Sequence, residues 1–290
     1  QSIETIFSTE DKLSWIKMES QAGVPEIEVG SFVPPKLLPQ MADTEDVVKG
    51  ALSLENLKIS VLVPNFRGSI DAMASGAHQL NYVLSVSEAH SQSNVRKSVQ
   101  DAIDDFARIM EYRKLHAEYQ NVKIAVGLAT AFGCTISGEI KLREVIDVTE
   151  RMLMLGADEI AIADTVGYGN PKQTRDIFKA ILKLSGDCPV SAHFHDTRGL
   201  GLANVDAALD VGVRRFDSSL GGLGGCPYAP GASGNIVTDD LVFMLEAMGL
   251  RTGIELSSLL ETRKFMESRL EGEPTRGAIA TSGTPKGFVS

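Results

Sequence analysis

The stretch EIAIADTVGYGNPKQTRDIFKAILKLSGDCPVSAHFHD, residues 159–196, reads as one strand–helix–strand unit. Its two ends, Glu159–Thr165 and Val190–Asp196, are short and almost continuously apolar. Such runs suit parallel strands that are covered on both faces. Between them, Gln173–Leu184 carries the spacing of an amphipathic helix. Parallel neighbours need a long crossover, and a helix is the usual one.

The unit repeats along the chain. Further strands are expected at Glu26–Phe32, Lys58–Asn65, Gln79–Ser87, Lys123–Ala131 and Arg215–Gly222. Helical patterns cover Lys12–Ala22, Leu142–Leu155, Ala203–Val211 and Leu241–Met248. Another helix buries a stripe of Val95, Val99, Ala102, Ile103, Phe106, Ile109 and Met110. Gly156, Gly212 and Gly249 fall where helices should end. Regular strand–helix alternation predicts a parallel α/β fold. Seven strands are visible, whereas a closed barrel has eight. The chain opens with IETIFSTEDKLSWIKMESQAG, a loop and helix of the kind that follows a strand. The expectation is therefore a (β/α)8 TIM barrel whose first strand lies upstream of Gln1; an open sheet is the alternative. Residues 1–270 would form the barrel domain. The tail 271–290 has no periodicity and is expected to be disordered or to pack on a partner subunit.

Composition narrows the function. The net charge of −10 disfavours nucleic acid as a partner, because phosphate binding needs clustered Lys and Arg. No apolar run reaches the length of a membrane span, so no membrane partner is expected. Cys134, Cys188 and Cys226 are too few and too scattered for a disulfide framework, which points to a reducing compartment.

In parallel barrels the chemistry sits at the carboxyl ends of the strands. Those ends carry Glu28 and Ser31, then Asn65, then Ser87 with Glu88 and His90, then Asp164, then His193, His195 and Asp196. His193 and His195 are two apart on a strand and share a face. Two imidazoles so placed suit a divalent ion; two histidines hydrogen-bonded in a polar barrel end are the plainer reading. Asp196 is either a ligand or the partner that orients an imidazole. Asp164 either polarises a catalytic group or caps the helix near Pro171. Glu28, inside an apolar strand, wants a partner such as an Arg. Asn65 has the look of a helix N-cap.

The last strand runs into GGLGGCPYAPGASGN, Gly221–Asn235, which holds six glycines and can neither pack a core nor hold a helix. A thiol on such a loop, beside a metal, can deliver a proton and then be covered; the plainer reading of Cys226 is a small residue at a tight turn. Asn235 either caps the following helix or turns its amide oxygen to the ion. A hard ion would still want a carboxylate.

At these residues the chain resembles the 3-hydroxy-3-methylglutaryl-CoA lyase family, of the DRE-TIM metallolyases. FDSSLGGLGGCPYAPGASGN is similar to that family's signature loop. AHFHDTRGLGLAN, IEVGSFVPPKLLPQM and ADTVGYGNP also match its pattern. The resemblance implies Mg2+ or Mn2+ held by His193, His195, Asn235 and an Asp of the first strand, next to an Arg that stabilises the enolate. It implies Cys226 as catalytic thiol, Glu28 and Asp164 near the reacting centre, and Ser31, Asn65 and Ser87 on the substrate. His193 is also the candidate base. The implied reaction cleaves 3-hydroxy-3-methylglutaryl-CoA to acetyl-CoA and acetoacetate. The partner is an acyl-CoA thioester, the protein a homo-oligomer, and the compartment the cytoplasm or the mitochondrial matrix. Rival readings are a lyase for citramalyl-CoA or another branched 3-hydroxyacyl-CoA, a Claisen condensation enzyme, and a metal-dependent aldolase. SVSEAHSQSNVRKS, with His90, and FGCTISGEI depart from the family pattern near the acyl group.

Overall fold

The computed structural model describes residues 3–224, 234–270 and 272–288. In chain order the elements are α1 (Thr9–Gln21), β1 (Glu26–Ser31), α2 (Thr44–Ala51), β2 (Lys58–Val63), α3 (Phe66–Ser75), β3 (Gln79–Ser85) and α4 (Glu88–Val95). There follow α5 (Val99–Leu115), β4 (Lys123–Ala129), α6 (Leu142–Met154), β5 (Glu159–Asp164), α7 (Pro171–Ser185) and β6 (Val190–Phe194). The chain continues with α8 (Gly201–Asp210), β7 (Phe216–Asp217), α9 (Thr238–Ala247), α10 (Leu256–Glu267) and α11 (Ala278–Ser282).

All seven expected strands are present, in one parallel sheet of order β1 to β7. An unbroken sequential order has no switch point, so every crossover moves the same way and the sheet curls. It curls far enough for a long side chain to reach across the opening between its edges. Arg215, just before β7, reaches both Glu159 at 3.1 Å and Glu26 of β1 at 3.6 Å. Lys58 continues this polar floor, bonding Glu26 at 2.9 Å and Gln79 at 2.6 Å. β1 and β7 do not pair with each other.

The last strand is shorter than the expected Arg215–Gly222. After Asp217 the chain bends, and Gly221 and Gly222 both adopt φ of 66°, which no strand allows. One helical stripe also divides. Val95 ends α4, Arg96 turns at φ 56°, and α5 starts afresh behind a Ser98–Asp101 capping box. Gly156, Gly212 and Gly249 do lie just past helix ends, at φ 88°, 109° and 79°.

The outward faces of the strands bury Ile59, Val61, Leu80, Tyr82, Ile124, Val126, Ile160 and Ile162 under Phe106, Ile109, Met152 and Ile181 of the helices. Phe178 of α7 meets Phe194 edge-on at 6.1 Å, and Phe132 closes the trio at 6.3 and 5.8 Å. All three rings are buried. Phe178→Ala should therefore cost about 3–5 kcal/mol of stability. Urea unfolding checks this, and a cost below about 1 kcal/mol would contradict the packing described.

A smaller core joins Phe7, Ala22, Leu220, Val242, Leu256, Leu259, Met266 and Ile279. Through it α10 packs on α1. Residues 272–288, expected to be disordered or held by a partner subunit, lie on the chain's own α9. Asp240 accepts from the amides of Ala278 and Ile279 at 2.9 and 2.8 Å, and Phe288 packs 5.0 Å from Phe243. Among the described residues no helix is long and apolar enough to cross a membrane.

Candidate metal and active site

The carboxyl end of β6 presents His193 and His195 on one face, as their spacing requires. Their Nε2 atoms face each other at 3.1 Å. That is the separation of two nitrogens bound at right angles to one ion at about 2.1 Å. The Nδ1 of His193 meets Asp217 Oδ1 at 2.6 Å. A carboxylate on the far nitrogen fixes the ring and raises its basicity toward an ion. Asp217 was not among the residues singled out in the sequence. Its register with His193 across β6 and β7 was the available signal.

The two imidazoles differ electrically. Burial lowers the pKa of His193, but Asp217, Glu28 and Asp164 outweigh it and the net shift is upward. His195 is pushed down to about 3, by burial first and then by the charges of His193 and Arg276. His195 is thus neutral at pH 7 and able to donate a lone pair. Its Nδ1 is buried without a hydrogen-bond partner.

Asn235 returns the chain to the site. Its backbone bridges to His195. Its Nδ2 donates to Leu223 O at 3.0 Å, while its Oδ1 is buried and accepts nothing. Asn235 does not cap α9, which starts at Thr238. A buried amide oxygen left bare costs about 1–3 kcal/mol unless something binds it. Two imidazole nitrogens and one amide oxygen therefore form a donor set that fits a divalent ion. Among the described residues no three His, Cys, Asp or Glu side chains could hold an ion.

Gly234, the residue before Asn235, is crowded. A Cβ there would run into Gly222 O and Gly224 O and lie 2.8 Å from Arg276 Nη2. Only glycine lets these segments meet.

The other residues expected at the site sort differently. Glu28 points into the barrel and is held by Asn81 Nδ2 at 2.8 Å, not by an Arg. It opens to water at the β1 edge, yet surrounding protein atoms and the charge of Asp217 raise its pKa, while Asn81 and His193 oppose the rise. Asp164 is fully buried, and its oxygens accept from the amides of Tyr168 and Gly169 at 2.8 and 2.9 Å. It anchors the loop after β5. Asn170, not Asp164, caps α7. Asp196 accepts from Gly201 N at 2.8 Å and is no partner of the imidazoles.

Asn65 caps α3 through Gly68 N. Ser87 caps α4 and is buried, with Cys134 Sγ at 3.2 Å and Ser137 Oγ at 3.0 Å. These two side chains are used by the fold, and a role on substrate would need them released. Ser31 is also buried, but its Oγ has no partner. His90, on the buried face of α4, holds Ser85 Oγ at 2.7 Å. Cys226 lies outside the described residues. His193, the expected base, has Asp217 at its Nδ1 and the Nε2 of His195 at its own Nε2.

Fold and site define a parallel α/β half-barrel with a paired-imidazole centre at the carboxyl end of its strands. The HMGL-like family model matches residues 1–266, and the chain belongs to that family. It is 38% identical, over 92% of its length and 88% of the relative's, to the hydroxymethylglutaryl-CoA lyase of Bacillus subtilis. It is 38% identical to the mitochondrial hydroxymethylglutaryl-CoA lyase of Homo sapiens, over 92% of this chain and 81% of that one. Among solved structures it resembles an HMG-CoA lyase from Acinetobacter baumannii in complex with coenzyme A and 3-methylmalate. The TM-score is 0.93 at 39% identity, covering 100% of this chain and 93% of that one.

Proposed function

We propose that this chain is a divalent-metal-dependent carbon–carbon lyase that cleaves 3-hydroxy-3-methylglutaryl-CoA to acetyl-CoA and acetoacetate. The observation that carries this reading is the facing pair of Nε2 atoms, with the unpartnered Oδ1 of Asn235 on the segment that bridges to His195, in a chain of the HMGL-like family. His193, His195 and Asn235 would hold the ion, Mg2+ or Mn2+. When bound, the ion supplies Lewis acidity to the hydroxyl and the thioester carbonyl of the substrate. An eighth strand between the unpaired β1 and β7 would close the barrel and bring the Asp that a hard ion wants.

The chain's own groups divide the proton work. Glu28 takes the hydroxyl proton, because it faces the site from β1 and both ring nitrogens of His193 already have partners. The C2–C3 bond breaks, its electron pair passing to the thioester as an enolate. The thiol of Cys226 returns a proton to C2. Asp217 keeps His193 in one tautomer throughout.

Incubating the protein with Mn2+ and 3-hydroxy-3-methylglutaryl-CoA should release acetyl-CoA and acetoacetate in equal amounts. No product with this thioester would overturn the assignment. Glu28→Gln should lower kcat by about a hundredfold or more while Mn2+ binding persists. Parent-like kcat in that variant would remove Glu28 from the proton path.

A second reading has one observation in its favour. The Acinetobacter relative was solved with coenzyme A and 3-methylmalate, a shorter branched hydroxydiacid. A lyase for citramalyl-CoA or a similar branched 3-hydroxyacyl-CoA would show a higher kcat/KM on that thioester than on the glutaryl one.

A further inference from the structure

The segment after α10 has no place in the strand–helix repeat, yet it reaches the site. Asp239 of α9 is fully buried and pairs with Arg263 at 2.7 Å. Arg263 also bonds Glu267 at 2.9 Å, and Glu267 accepts from Thr275 Oγ1 at 2.7 Å. On the other side, Asp240 holds the amides of Ala278 and Ile279. Two neighbouring carboxylates at the start of α9 thus fix the chain on both sides of Arg276.

Arg276 spends its donors on the glycine-rich turn. Its amide donates to Gly221 O at 2.8 Å and its Nη2 to Gly222 O at 3.1 Å. The same Nη2 lies over Gly234, where the outgoing chain at Gly222–Gly224 meets the returning chain. One residue further along each side, Leu223 O receives the Nδ2 of Asn235. That bond decides which way the amide points, and so where Oδ1 faces.

We propose that Arg276 is a positioning residue for Asn235. By holding the Gly222 carbonyl, just ahead of Leu223, its guanidinium fixes the acceptor that orients the Asn235 amide, and with it the third donor of the metal site. The inference rests on the reading of Asn235 as a ligand. The amide bond to Gly221 O belongs to the backbone and survives substitution, so the side chain's part is the Nη2 bond to Gly222 O.

The test measures Mn2+ affinity by calorimetry alongside kcat and KM, in Arg276→Ala and Arg276→Lys. Arg276→Ala should weaken Mn2+ binding about 10- to 100-fold, the usual worth of a partner that orients a ligand. The kcat should fall with it, while KM for the thioester stays near the parent value. Arg276→Lys should recover part of the loss. In an Asn235→Ala background the same Arg276→Ala change should have no further effect on Mn2+ affinity. Arg269→Ala, which removes an outer ion pair with Asp11, should leave affinity unchanged. A lowered melting temperature with parent-like Mn2+ affinity in Arg276→Ala would make the residue structural only and overturn the proposal. So would a full effect persisting in the Asn235→Ala background. A parent protein that binds no Mn2+ overturns the metal reading and this inference together.

Discussion

His195→Ala should strip the protein of divalent metal and of lyase activity at once. The side chain supplies one of two facing nitrogens, and no other imidazole lies beside His193 among the described residues. The alanine would leave His193 and the oxygen of Asn235, too few donors to hold an ion from this chain alone. The loss should exceed the ~10- to 100-fold that outer partners are worth. Stability is not the cause. The ring carries an unbonded buried Nδ1, so its removal relieves one unsatisfied polar atom while opening a small void. Metal content by mass spectrometry of the native protein, with unfolding measured in parallel, separates the effects. Full occupancy in His195→Ala would sink the metal site as drawn here.

Cys226→Ser should slow turnover by roughly a hundredfold to ten-thousandfold, the range for a positioned acid or base. The described residues on either side of the stretch that carries the thiol are joined by the Asn235–Leu223 hydrogen bond. Serine keeps the size but holds its proton several units more tightly than a thiol near pKa ~8.5. Mn2+ affinity and melting temperature should stay at parent values. Cys188→Ser is the right control, since Cys188 is half-buried and bonds only backbone carbonyls. Cys134 is not. It is buried and takes donors from Ser87 Oγ, Ile136 N and Ser137 N, so serine there disturbs the packing. A Cys226→Ser protein that cleaves the thioester at parent rate would leave the thiol without a chemical part.

The strands were legible because buried parallel strands are apolar almost without interruption, and seven such runs stand clear of their surroundings. The helices were less so. α2 is eight residues long and α4 carries little apolar patterning, so periodicity had too few turns to register. The break at Arg96 could not be read, because the apolar stripe continues across it and only the backbone shows the left-handed turn. At the site, His193 and His195 announced themselves by spacing, a local signal. Asp217 did not, because its meaning lies in the register of a neighbouring strand. Arg276 lies 41 positions beyond Asn235, and nothing local ties it to the glycine-rich turn. Asn65 and Ser87 show the converse: residue types that suit substrate contact also suit helix caps, and the backbone claims them first.

The sequential order of the sheet has a consequence for how the chain finds its shape. Each strand pairs with its neighbour in sequence, so most of the sheet can grow by local steps. The ring is joined by a different set of contacts. Arg215 reaches Glu26, Arg269 reaches Asp11, and Glu273 accepts from the amide of Glu4. These pairs are separated by most of the chain, and their loop entropy must be met before they return anything. They belong at the end of folding, after the layers between them are set. Weakening them should leave the folding rate nearly alone and speed the opening of the ring.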